Sequence, residues 1–253
     1  PNRKYLAKYR KKNILITGGA GSIGSEICKQ LLIANPSKLL IVDQSEYNLY
    51  QLNQKLNDKK IKSILLDINE TKMLRKIIKK YKIDYIFHAA AYKHVKFLEN
   101  NFGVAIKNNT LGTLSVIEAS KKLKVKITII STDKAVKPTS VLGMTKRAAE
   151  IMSLNYIKDK SFINTKLNVV RFGNVFGSQG SAIETFINQI KENKEITITS
   201  YKMKRYFMSI REACNLVIQS SALNYRNKIF ILDMGKQLKI IDLIKKILKL
   251  YDK

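Results

Sequence analysis

The amino-acid sequence predicts an α/β protein in which helices cover both faces of a parallel sheet. Short apolar runs alternate with segments whose apolar residues recur at three- and four-residue spacing. The runs are apolar along their whole length, which is typical of parallel strands buried on both faces. The chain has 253 residues and is 45% hydrophobic, enough for one large α/β unit. We therefore expect one such unit, with a smaller portion attached to it.

Six of the apolar runs are predicted strands, and a helical pattern follows each of the first five. In chain order they are "NILITGG", "KLLIVD", "IKSILLD", "DYIFHAA", "VKITIIST" and "TKLNVVRFG". After Arg171 the alternation loosens, and a Gly- and Ser-rich stretch precedes another helix. We predict short strands at "KEITITS" and "RYFMSI", then a helix, a strand and a final helix. The smaller portion therefore begins close to Arg171.

A glycine-rich motif, "ITGGAGSIGSE", joins the first strand to the first helix through Gly18, Gly21 and Gly24. Such glycines permit a tight turn and a close approach of the backbone to a pyrophosphate, while the helix start at Ser22 and Ile23 presents amides to the phosphates. Asp43 ends the second strand, where a carboxylate accepts hydrogen bonds from the adenine ribose and repels a 2'-phosphate. The sequence therefore predicts a Rossmann-type domain that binds NAD rather than NADP.

Residues after the third and fourth predicted strands are further candidates for cofactor contacts. Asp67 and Ile68 lie in "LLDIN", where Asp67 either meets the adenine edge or caps a helix. The fourth strand is followed by small side chains that let a cofactor cross the strand end, namely Ala89, Ala90 and Ala91. Lys93 projects toward the same crevice. We predict that the cofactor lies across this edge of the sheet.

The histidines and cysteines predict no metal site. His88 and His94 are the only histidines, and no carboxylate or cysteine spacing completes a ligand set, so we expect both to pack or to form hydrogen bonds. Cys28 and Cys214 lie far apart without a CxxC spacing, so the sequence does not support a disulfide framework. This cysteine usage indicates a reducing compartment, and we expect a cytoplasmic protein.

The formal net charge of +28 raises the question of a nucleic-acid partner. Nearly all of the positive charge is lysine scattered on polar helix faces such as "TKMLRKIIKK", without an arginine-rich stripe or interleaved aromatics. We therefore predict no nucleic-acid binding, only an attraction for anionic ligands such as nucleotide sugars or for acidic lipid surfaces. No apolar stretch reaches the roughly 20 residues that a membrane helix needs.

The decapeptide "STDKAVKPTS" places an acid, Asp133, directly beside a base, Lys134, at the end of the fifth predicted strand. On this pattern alone two interpretations stay open. The pair is either a surface ion pair that contributes little to stability, or an acid and a base that act on a bound ligand.

Nine motifs, taken in order along the chain, resemble the UDP-N-acetylglucosamine 4,6-dehydratases, a polysaccharide-biosynthesis branch of the extended short-chain dehydrogenase/reductase superfamily. They are the glycine motif, "VDQSEYNLYQL", "HAAAYKHV", "NNTLGT", "STDKAVKPTS", "GMTKRAAE", "VRFGNVFGSQGS", "RYFM" and "IFILDMG". The resemblance runs from about residue 13 to the end of the chain. It implies an NAD-binding Rossmann domain over 1–173, its sheet completed by 206–232, and a substrate-binding portion formed by 174–205 and 233–253.

The resemblance also implies the reaction: oxidation at carbon-4 of the sugar, elimination of water across carbon-5 and carbon-6, and return of the hydride to carbon-6. Thr132 is expected to bind the carbon-4 hydroxyl, Asp133 to protonate the leaving hydroxyl, and Lys134 to take the carbon-5 proton. Lys146, in "GMTKRAAE", is expected to orient the nicotinamide ribose, and Asn109 to contact the cofactor.

For the substrate, we expect contacts from Lys93 and Thr132 and from three residues of the looser region. Asn174 and Ser181 are placed to meet a diphosphate or uracil, although a turn residue and a helix cap explain them equally well. Arg205 offers the paired donors of a phosphate clamp. The predicted partner is UDP-N-acetylglucosamine or a related UDP-sugar.

One position departs from the superfamily pattern, which places a proton-accepting tyrosine four residues before the active-site lysine. That position is Leu142, which cannot carry a proton. Asp133, Tyr92 or a water held by Thr132 then remains to take the carbon-4 proton, and we favour Asp133.

Two alternative functions stay open. A nucleotide-sugar 4-epimerase uses the same cofactor and oxidation without elimination, and a noncatalytic nucleotide-sugar-binding domain needs neither Asp133 nor Lys134. Many members of the family carry this domain behind membrane helices, so we expect a membrane-attached parent protein on the cytoplasmic face. We also expect a homo-oligomer, formed through helices at "NNTLGTLSVIEASKKL" and "TKRAAEIMSLNYI".

Overall fold

The computed structural model describes residues 3–178, 180–198 and 200–251. Its strands are β1 Asn13–Thr17, β2 Lys38–Asp43, β3 Ile61–Leu65, β4 Tyr85–His88, β5 Lys126–Thr132, β6 Lys166–Phe172, β7 Asn174–Phe176, β8 Lys204–Arg205, β9 Phe207–Ser209, β10 Lys228–Ile231 and β11 Leu238–Lys239. Its α-helices are α1 Arg3–Leu6, α2 Ser22–Leu32, α3 Glu46–Leu56, α4 Thr71–Lys80, α5 Val95–Glu99, α6 Phe102–Ala105, α7 Gly112–Ala119, α8 Val141–Tyr156, α9 Ala182–Lys191, α10 Ile210–Ala222 and α11 Ile240–Leu250. A π-helix at Ile106–Leu111 joins α6 to α7.

The central sheet has seven parallel strands in the order β3-β2-β1-β4-β5-β6-β10. The six strands predicted from apolar runs are β1 to β6, so that prediction is confirmed. The strand order reverses between β1 and β4, and open parallel sheets bind ligands at such a switch point, outside the carboxyl ends of the strands. The division into two functional portions stays a prediction.

Alternate residues of each strand face opposite layers, which explains why the central strands are mostly apolar along their whole length. In β1, Ile14 and Ile16 pack in a cluster with residues of α2 and α10, whereas Leu15 packs in a second cluster with residues of α4 and α7. Both faces of the sheet are therefore buried under helices. This rigid core fixes where the strand ends lie.

Serine side chains cap the N-termini of α3, α8, α9 and α10, and they are Ser45, Ser140, Ser181 and Ser209. Each accepts a hydrogen bond from an amide of the first helical turn. Helix α2 differs, because it begins after Gly21 and no side chain caps it. The start of α2 is therefore suited to a ligand that accepts hydrogen bonds.

The second predicted short-strand region, "RYFMSI", is confirmed by β8 and β9, but the prediction of a strand at "KEITITS" is wrong for its described residues. Residues 194–198 and Ser200 form no strand, and Thr199 lies outside the described residues. Ile196 and Ile198 pack against the cluster of Phe186, Ile240 and Ile244. The alternating isoleucines therefore reflect burial of one side of this segment, which forms no hydrogen-bonded pair with another strand.

Across the described ranges, no helix is both long enough and apolar enough to cross a membrane.

Candidate active site

A cavity of about 310 Å³ lies at the carboxyl ends of β1, β2 and β4, at the switch point of the sheet. Its walls come from the glycine-rich loop and from the segments after β2, β3 and β4. The lining residues are Gly18, Gly21, Asp43, Gln44, Ser45, Asn48, Leu66, Ile68, Ala89, Ala90, Ala91, Tyr92 and Asn108. Five residues predicted to contact a cofactor at strand ends, Asp43, Ile68 and the three alanines, thus line one cavity.

The glycine-rich loop is pressed against the segment that follows β4. Gly18 has φ +63°, and a Cβ there would overlap the backbone nitrogen of Ala90. A Cβ on Gly24 would overlap the carbonyl oxygen of Gly18. Gly21 differs, because a Cβ there would meet only the Gly18 oxygen, at 3.4 Å. Gly18 and Gly24 therefore serve the packing, while Gly21 leaves space on the cavity side.

Asp43 lines the cavity and also forms a hydrogen bond with the glycine-rich loop. Its Oδ2 accepts a hydrogen bond from the Ala20 amide and its Oδ1 accepts one from the Ser45 amide, both at 3.0 Å. A carboxylate has further lone pairs, so these bonds leave acceptor capacity for ribose hydroxyls. The carboxylate that was predicted from sequence as a ligand contact thus also links the glycine loop to the start of α3.

The segment after β3 places Ile68, rather than Asp67, in the cavity wall. Oδ1 of Asp67 accepts hydrogen bonds from the amide of Asn69 at 2.9 Å and from its side chain at 2.8 Å. The Ile68 side chain is buried against Gly112 at the start of α7. Asp67 thus stabilises the turn before α4 and does not cap that helix, whose N-cap is Glu70, while its contact with the adenine edge stays a prediction.

A hydrogen bond links two residues of the cavity wall that stand on different strand ends. The Gln44 amide donates to the Tyr92 hydroxyl at 2.9 Å, from the segment after β2 to the segment after β4. Asn109 fixes the backbone of Tyr92 through two hydrogen bonds: its Oδ1 accepts from the Tyr92 amide at 2.8 Å, and its Nδ2 donates to the Tyr92 carbonyl at 3.1 Å. Asn109 is itself fully buried, and its neighbour Asn108 lines the cavity.

Lys146 lies on α8 and is only 5% exposed. Burial lowers its pKa to about 8, with the charge of Glu150 opposing this shift. Its charge is one of the causes that lower the pKa of His88, which places Lys146 close to the end of β4. Within the described part of the chain, no acceptor takes a hydrogen bond from this ammonium group. A buried cation in this position is suited to a polar ligand.

Thr132, Asp133 and Lys134 form a connected group at the end of β5. Oδ1 of Asp133 accepts hydrogen bonds from the Thr132 hydroxyl at 2.9 Å and from the Lys134 ammonium at 3.1 Å. Lys134 donates a second hydrogen bond to Oδ1 of Asn174 at 3.1 Å. The structure therefore joins three predicted catalytic residues to one predicted substrate-binding residue.

The position of the missing tyrosine is apolar in its surroundings as well as its side chain. Leu142 is buried in a small cluster with Leu98 and Ala105. The cluster lies between α8 and the helices after β4. No proton acceptor replaces the tyrosine at this position.

The remaining substrate candidates lie around α9 and β8. Lys93 is exposed to solvent, and the surrounding protein lowers its pKa against the opposing charge of Glu184 in the first turn of α9. Ser181 caps α9 by accepting from the Glu184 amide at 3.3 Å. Arg205 is half-buried and donates to the Lys204 carbonyl at 2.9 Å. Lys93 and the start of α9 thus come together, while Arg205 stands on a separate strand pair with β11.

His88 is completely buried and bridges two hydroxyl groups. Its Nδ1 lies 2.7 Å from the Thr17 hydroxyl and its Nε2 lies 2.9 Å from the Thr113 hydroxyl. Burial lowers its pKa to about 3, so the ring is neutral and is a hydrogen-bonding bridge between β1 and α7. His94 packs against Gly180. Among the described residues, no group of three potential metal ligands is present.

Sequence reasoning missed the residues that act through long-range contacts. Gln44, Asn48 and Asn108 line the cavity, and Glu150 and Arg171 form a buried ion pair beneath the Thr132–Lys134 group. The one signal that points to Glu150 is a carboxylate four residues after Lys146, on the same side of the predicted helix.

Comparison with known proteins identifies the family to which the chain belongs. A family model described as "Polysaccharide biosynthesis protein" matches residues 14–253. The chain belongs to this family. Its relatives in the polysaccharide biosynthesis family include the capsular polysaccharide biosynthesis protein CapD of Staphylococcus aureus, 42% identical over 248 residues that make up 96% of this chain and 41% of CapD. The chain thus spans about two fifths of the length of that relative. A UDP-glucose 4-epimerase of Rickettsia canadensis is 36% identical over 87% of this chain and 65% of its own length.

Solved structures confirm the predicted Rossmann-type fold. The X-ray structure of Pen from Bacillus thuringiensis has a TM-score of 0.90 and 37% identity, covering 95% of this chain and 74% of that one. DesIV, a dTDP-glucose 4,6-dehydratase from Streptomyces venezuelae solved with NAD and TYD bound, has a TM-score of 0.87 at 20% identity, covering 95% and 81%. The chain thus shares its fold with Pen and with DesIV.

Proposed function

We propose that this chain is the catalytic domain of an NAD-dependent nucleotide-sugar 4,6-dehydratase. Its substrate is UDP-N-acetylglucosamine, and its product is a UDP-4-keto-6-deoxy sugar used for capsule, O-antigen or glycoprotein glycan synthesis. Membership of the polysaccharide biosynthesis family supports the pathway class. The net charge of +28 supports an anionic substrate.

The cavity fits NAD in shape and in the chemistry of its donors and acceptors. The space beside Gly21 and the uncapped start of α2 suit a pyrophosphate, and Asp43 suits the adenine ribose. Lys146 is the buried donor that would hold the nicotinamide ribose. When bound, NAD supplies the acceptor for the carbon-4 hydride, which returns to carbon-6.

The observation that carries the proposal is the hydrogen-bonded group of Thr132, Asp133, Lys134 and Asn174. The Asp133 and Lys134 side chains are only 21% and 29% exposed, so the pair is more enclosed than an ordinary surface ion pair. It stands at the carboxyl end of a central strand, on the edge of the sheet where the cavity lies. An acid and a base held together there can act on adjacent carbons of one sugar.

The protons of the reaction balance if Asp133 acts first as an acceptor. Asp133 takes the proton of the carbon-4 hydroxyl, which Thr132 binds, and becomes the acid that protonates the leaving carbon-6 hydroxyl. Lys134 acts once its ammonium group has given a proton to solvent: the amine takes the carbon-5 proton and returns it to carbon-5 after the hydride reaches carbon-6. The carbon-4 proton then leaves in the released water, and both side chains end as they began.

The structure favours Asp133 over Tyr92 as the acceptor that replaces the missing tyrosine. The Tyr92 hydroxyl lies beside Gln44, next to the end of β2. Strand β2 is three positions from β5 in the sheet, or about 14 Å at the usual strand spacing. Asp133, in contrast, is hydrogen-bonded directly to Thr132.

The test is incubation of the chain with NAD and UDP-N-acetylglucosamine, with the product read by mass spectrometry. We expect a product lighter by one water, and a loss of roughly 100-fold or more in rate for Asp133→Asn and for Lys134→Ala. Lys137→Ala removes an exposed lysine of the same segment and should retain the wild-type rate. A folded, NAD-loaded protein that forms no dehydrated product would overturn the proposal.

The 36% identical UDP-glucose 4-epimerase supports a second candidate, nucleotide-sugar 4-epimerisation. That reaction also oxidises carbon-4 but leaves the mass of the sugar unchanged. The same experiment separates the two, because an isomer of unchanged mass indicates the epimerase. If neither product forms while NAD and the UDP-sugar bind, the chain is a noncatalytic binding domain.

A further inference from the structure

Glu150 is a completely buried carboxylate on α8, one helical turn after Lys146. Arg171 on β6 binds it with two groups: Nε donates to Oε1 at 2.8 Å, and Nη2 donates to Oε2. The Ser131 hydroxyl donates to Oε1 at 2.5 Å, and Arg147 donates to Oε2 at 3.2 Å from the exposed side. Three donor side chains thus converge on one carboxylate.

These donors stand directly beside the proposed catalytic group in the chain. Ser131 precedes Thr132 on β5, and Arg171 lies three residues before Asn174, which accepts a hydrogen bond from Lys134. Glu150 therefore connects the helix of Lys146 to the strand that carries Thr132 and to the strand that leads to Asn174. The carboxylate of Glu150 thus contacts all three elements that carry or lead to residues of the proposed site: α8, β5 and β6.

The carboxylate remains ionised despite its burial. Burial raises the pKa of Glu150, but the hydrogen bonds from Arg171 and Ser131 outweigh it, so the pKa is lowered overall. A buried ion pair of this kind adds little net stability compared with well-packed apolar side chains. Its main physical effect is to fix the relative position of the groups it joins and to place a negative charge near Lys146.

We infer that Glu150 is a positioning residue of the reaction proposed above: it fixes the strand end that carries Thr132, Asp133 and Lys134, and it keeps Lys146 charged. This inference rests on the proposed function for the first effect only. The second effect concerns the charge of Lys146 and can be measured without turnover.

The charge effect has a definite sign. The negative charge of Glu150 favours the ammonium form of Lys146, and the unpaired Arg171 left by Glu150→Gln would disfavour it. The variant should therefore lose the Lys146 proton at a lower pH. His88, on β4, and Arg171, on β6, also face this region, and the elements packed against α8 carry Lys96, Glu99, Lys107, Glu118, Lys126, Asp133 and Lys134.

The experiment compares Glu150→Gln with Ser131→Ala and two controls. Glu118→Gln removes a partly exposed carboxylate that also contacts α8, through Tyr156, and Val170→Ala weakens the core beside Arg171 without changing charge. For each protein we measure kcat and KM for UDP-N-acetylglucosamine across pH, the Kd of NAD across pH by calorimetry, the Lys146 titration by NMR, and thermal unfolding.

For Glu150→Gln we expect kcat to fall roughly 10- to 100-fold with little change in KM, because misplaced groups slow the chemical steps more than binding. The Lys146 titration and the alkaline loss of NAD affinity should both move to lower pH. Ser131→Ala releases the strand end but keeps the charge, so kcat should fall while the Lys146 titration stays near its wild-type pH. Both controls should keep the wild-type kcat and titration.

The outcomes separate the inference from the proposed function. If the wild-type chain forms no dehydrated product, the Lys146 titration and the NAD affinities still test the charge effect. If Glu150→Gln loses only thermal stability and keeps the wild-type kcat and titration, the inference is wrong. If Glu150→Gln does not fold, an unchanged kcat in Ser131→Ala overturns it.

Discussion

At the scale of single residues, Lys146 shows how much a motif predicts and where it stops. The motif "GMTKRAAE" predicts a functional lysine, and the structure places that lysine in a buried position. Its surroundings could not be predicted, because His88, Arg171 and Ser131 are distant in sequence and meet α8 only through the sheet. The four-residue spacing on α8 is enough to predict that Lys146 and Glu150 lie close together. Neighbours from other elements can be identified only once the fold is known.

Lys146→Met should stabilise the NAD-free protein at neutral pH. Burial lowers the pKa of Lys146 to about 8 from the ordinary value of 10.5, so charging it in the folded state costs on the order of 3 kcal/mol. The cost is complete below pH 8. Between about pH 8 and 10.5 the folded protein has lost this proton while the unfolded chain keeps it, so the stability of the wild type relative to the variant rises with pH.

Chemical denaturation of both proteins at pH 7 and pH 9.5 measures this difference. The gap in unfolding free energy should narrow at the higher pH, while the variant binds NAD more weakly at pH 7. Lys137→Met, at an exposed lysine, should change neither quantity. A Lys146→Met protein that is less stable than the wild type at pH 7 would contradict the prediction.

At the scale of elements, the strands were predictable and the contacts between loops were not. Strands β1, β2 and β4 to β6 follow from runs buried on both faces, and the edge strand β3 follows from a shorter apolar run. The strand predicted at 194–198 is absent, because a segment with one buried side shows the same alternation of apolar and polar residues whether or not it pairs with a neighbouring strand. The contact between Gln44 and Tyr92 joins two loops, and loop pairing leaves no periodic signal.

Tyr92→Phe should weaken NAD binding, because it removes the hydroxyl that accepts a hydrogen bond from Gln44. This hydrogen bond joins two residues of the wall of the cavity proposed to hold NAD. One such hydrogen bond is worth about 1 kcal/mol, so the Kd should rise about five-fold, through faster dissociation. Stopped-flow and calorimetric titrations with NAD measure both quantities. Tyr225→Phe, at a half-exposed ring on the opposite edge of the sheet, is the control. An unchanged dissociation rate for Tyr92→Phe would show that the link does not retain the cofactor.

At the scale of the whole molecule, charge and exposed apolar surface act against each other. The chain carries +28 charges, so copies of it repel one another. Helix α8 nevertheless exposes an apolar stripe formed by Met144, Ile151, Met152 and Tyr156. The sequence predicted this helix as an oligomer interface. Most of α7, the other helix of that prediction, is buried in the core of the chain.

The chain should self-associate through α8, and Met144→Lys combined with Ile151→Lys should make it monomeric. Added salt should tighten the wild-type association, because it screens the like charges without weakening apolar contact. Sedimentation velocity at low and moderate salt measures the state. Ile163→Lys replaces an isoleucine that is 70% exposed outside α8 and should leave association unchanged. A wild-type chain that stays monomeric at both salt concentrations would exclude the interface.

The two backbone contacts of Asp43 limit how this protein could change its cofactor. Its oxygens accept hydrogen bonds from the amides of Ala20 and Ser45, so replacing Asp43 by a neutral residue to admit a 2'-phosphate would also leave at least one of these amides without its acceptor. A redesign for NADP would therefore need a second substitution that restores an acceptor for those amides. Cofactor preference and loop architecture cannot evolve independently at this position.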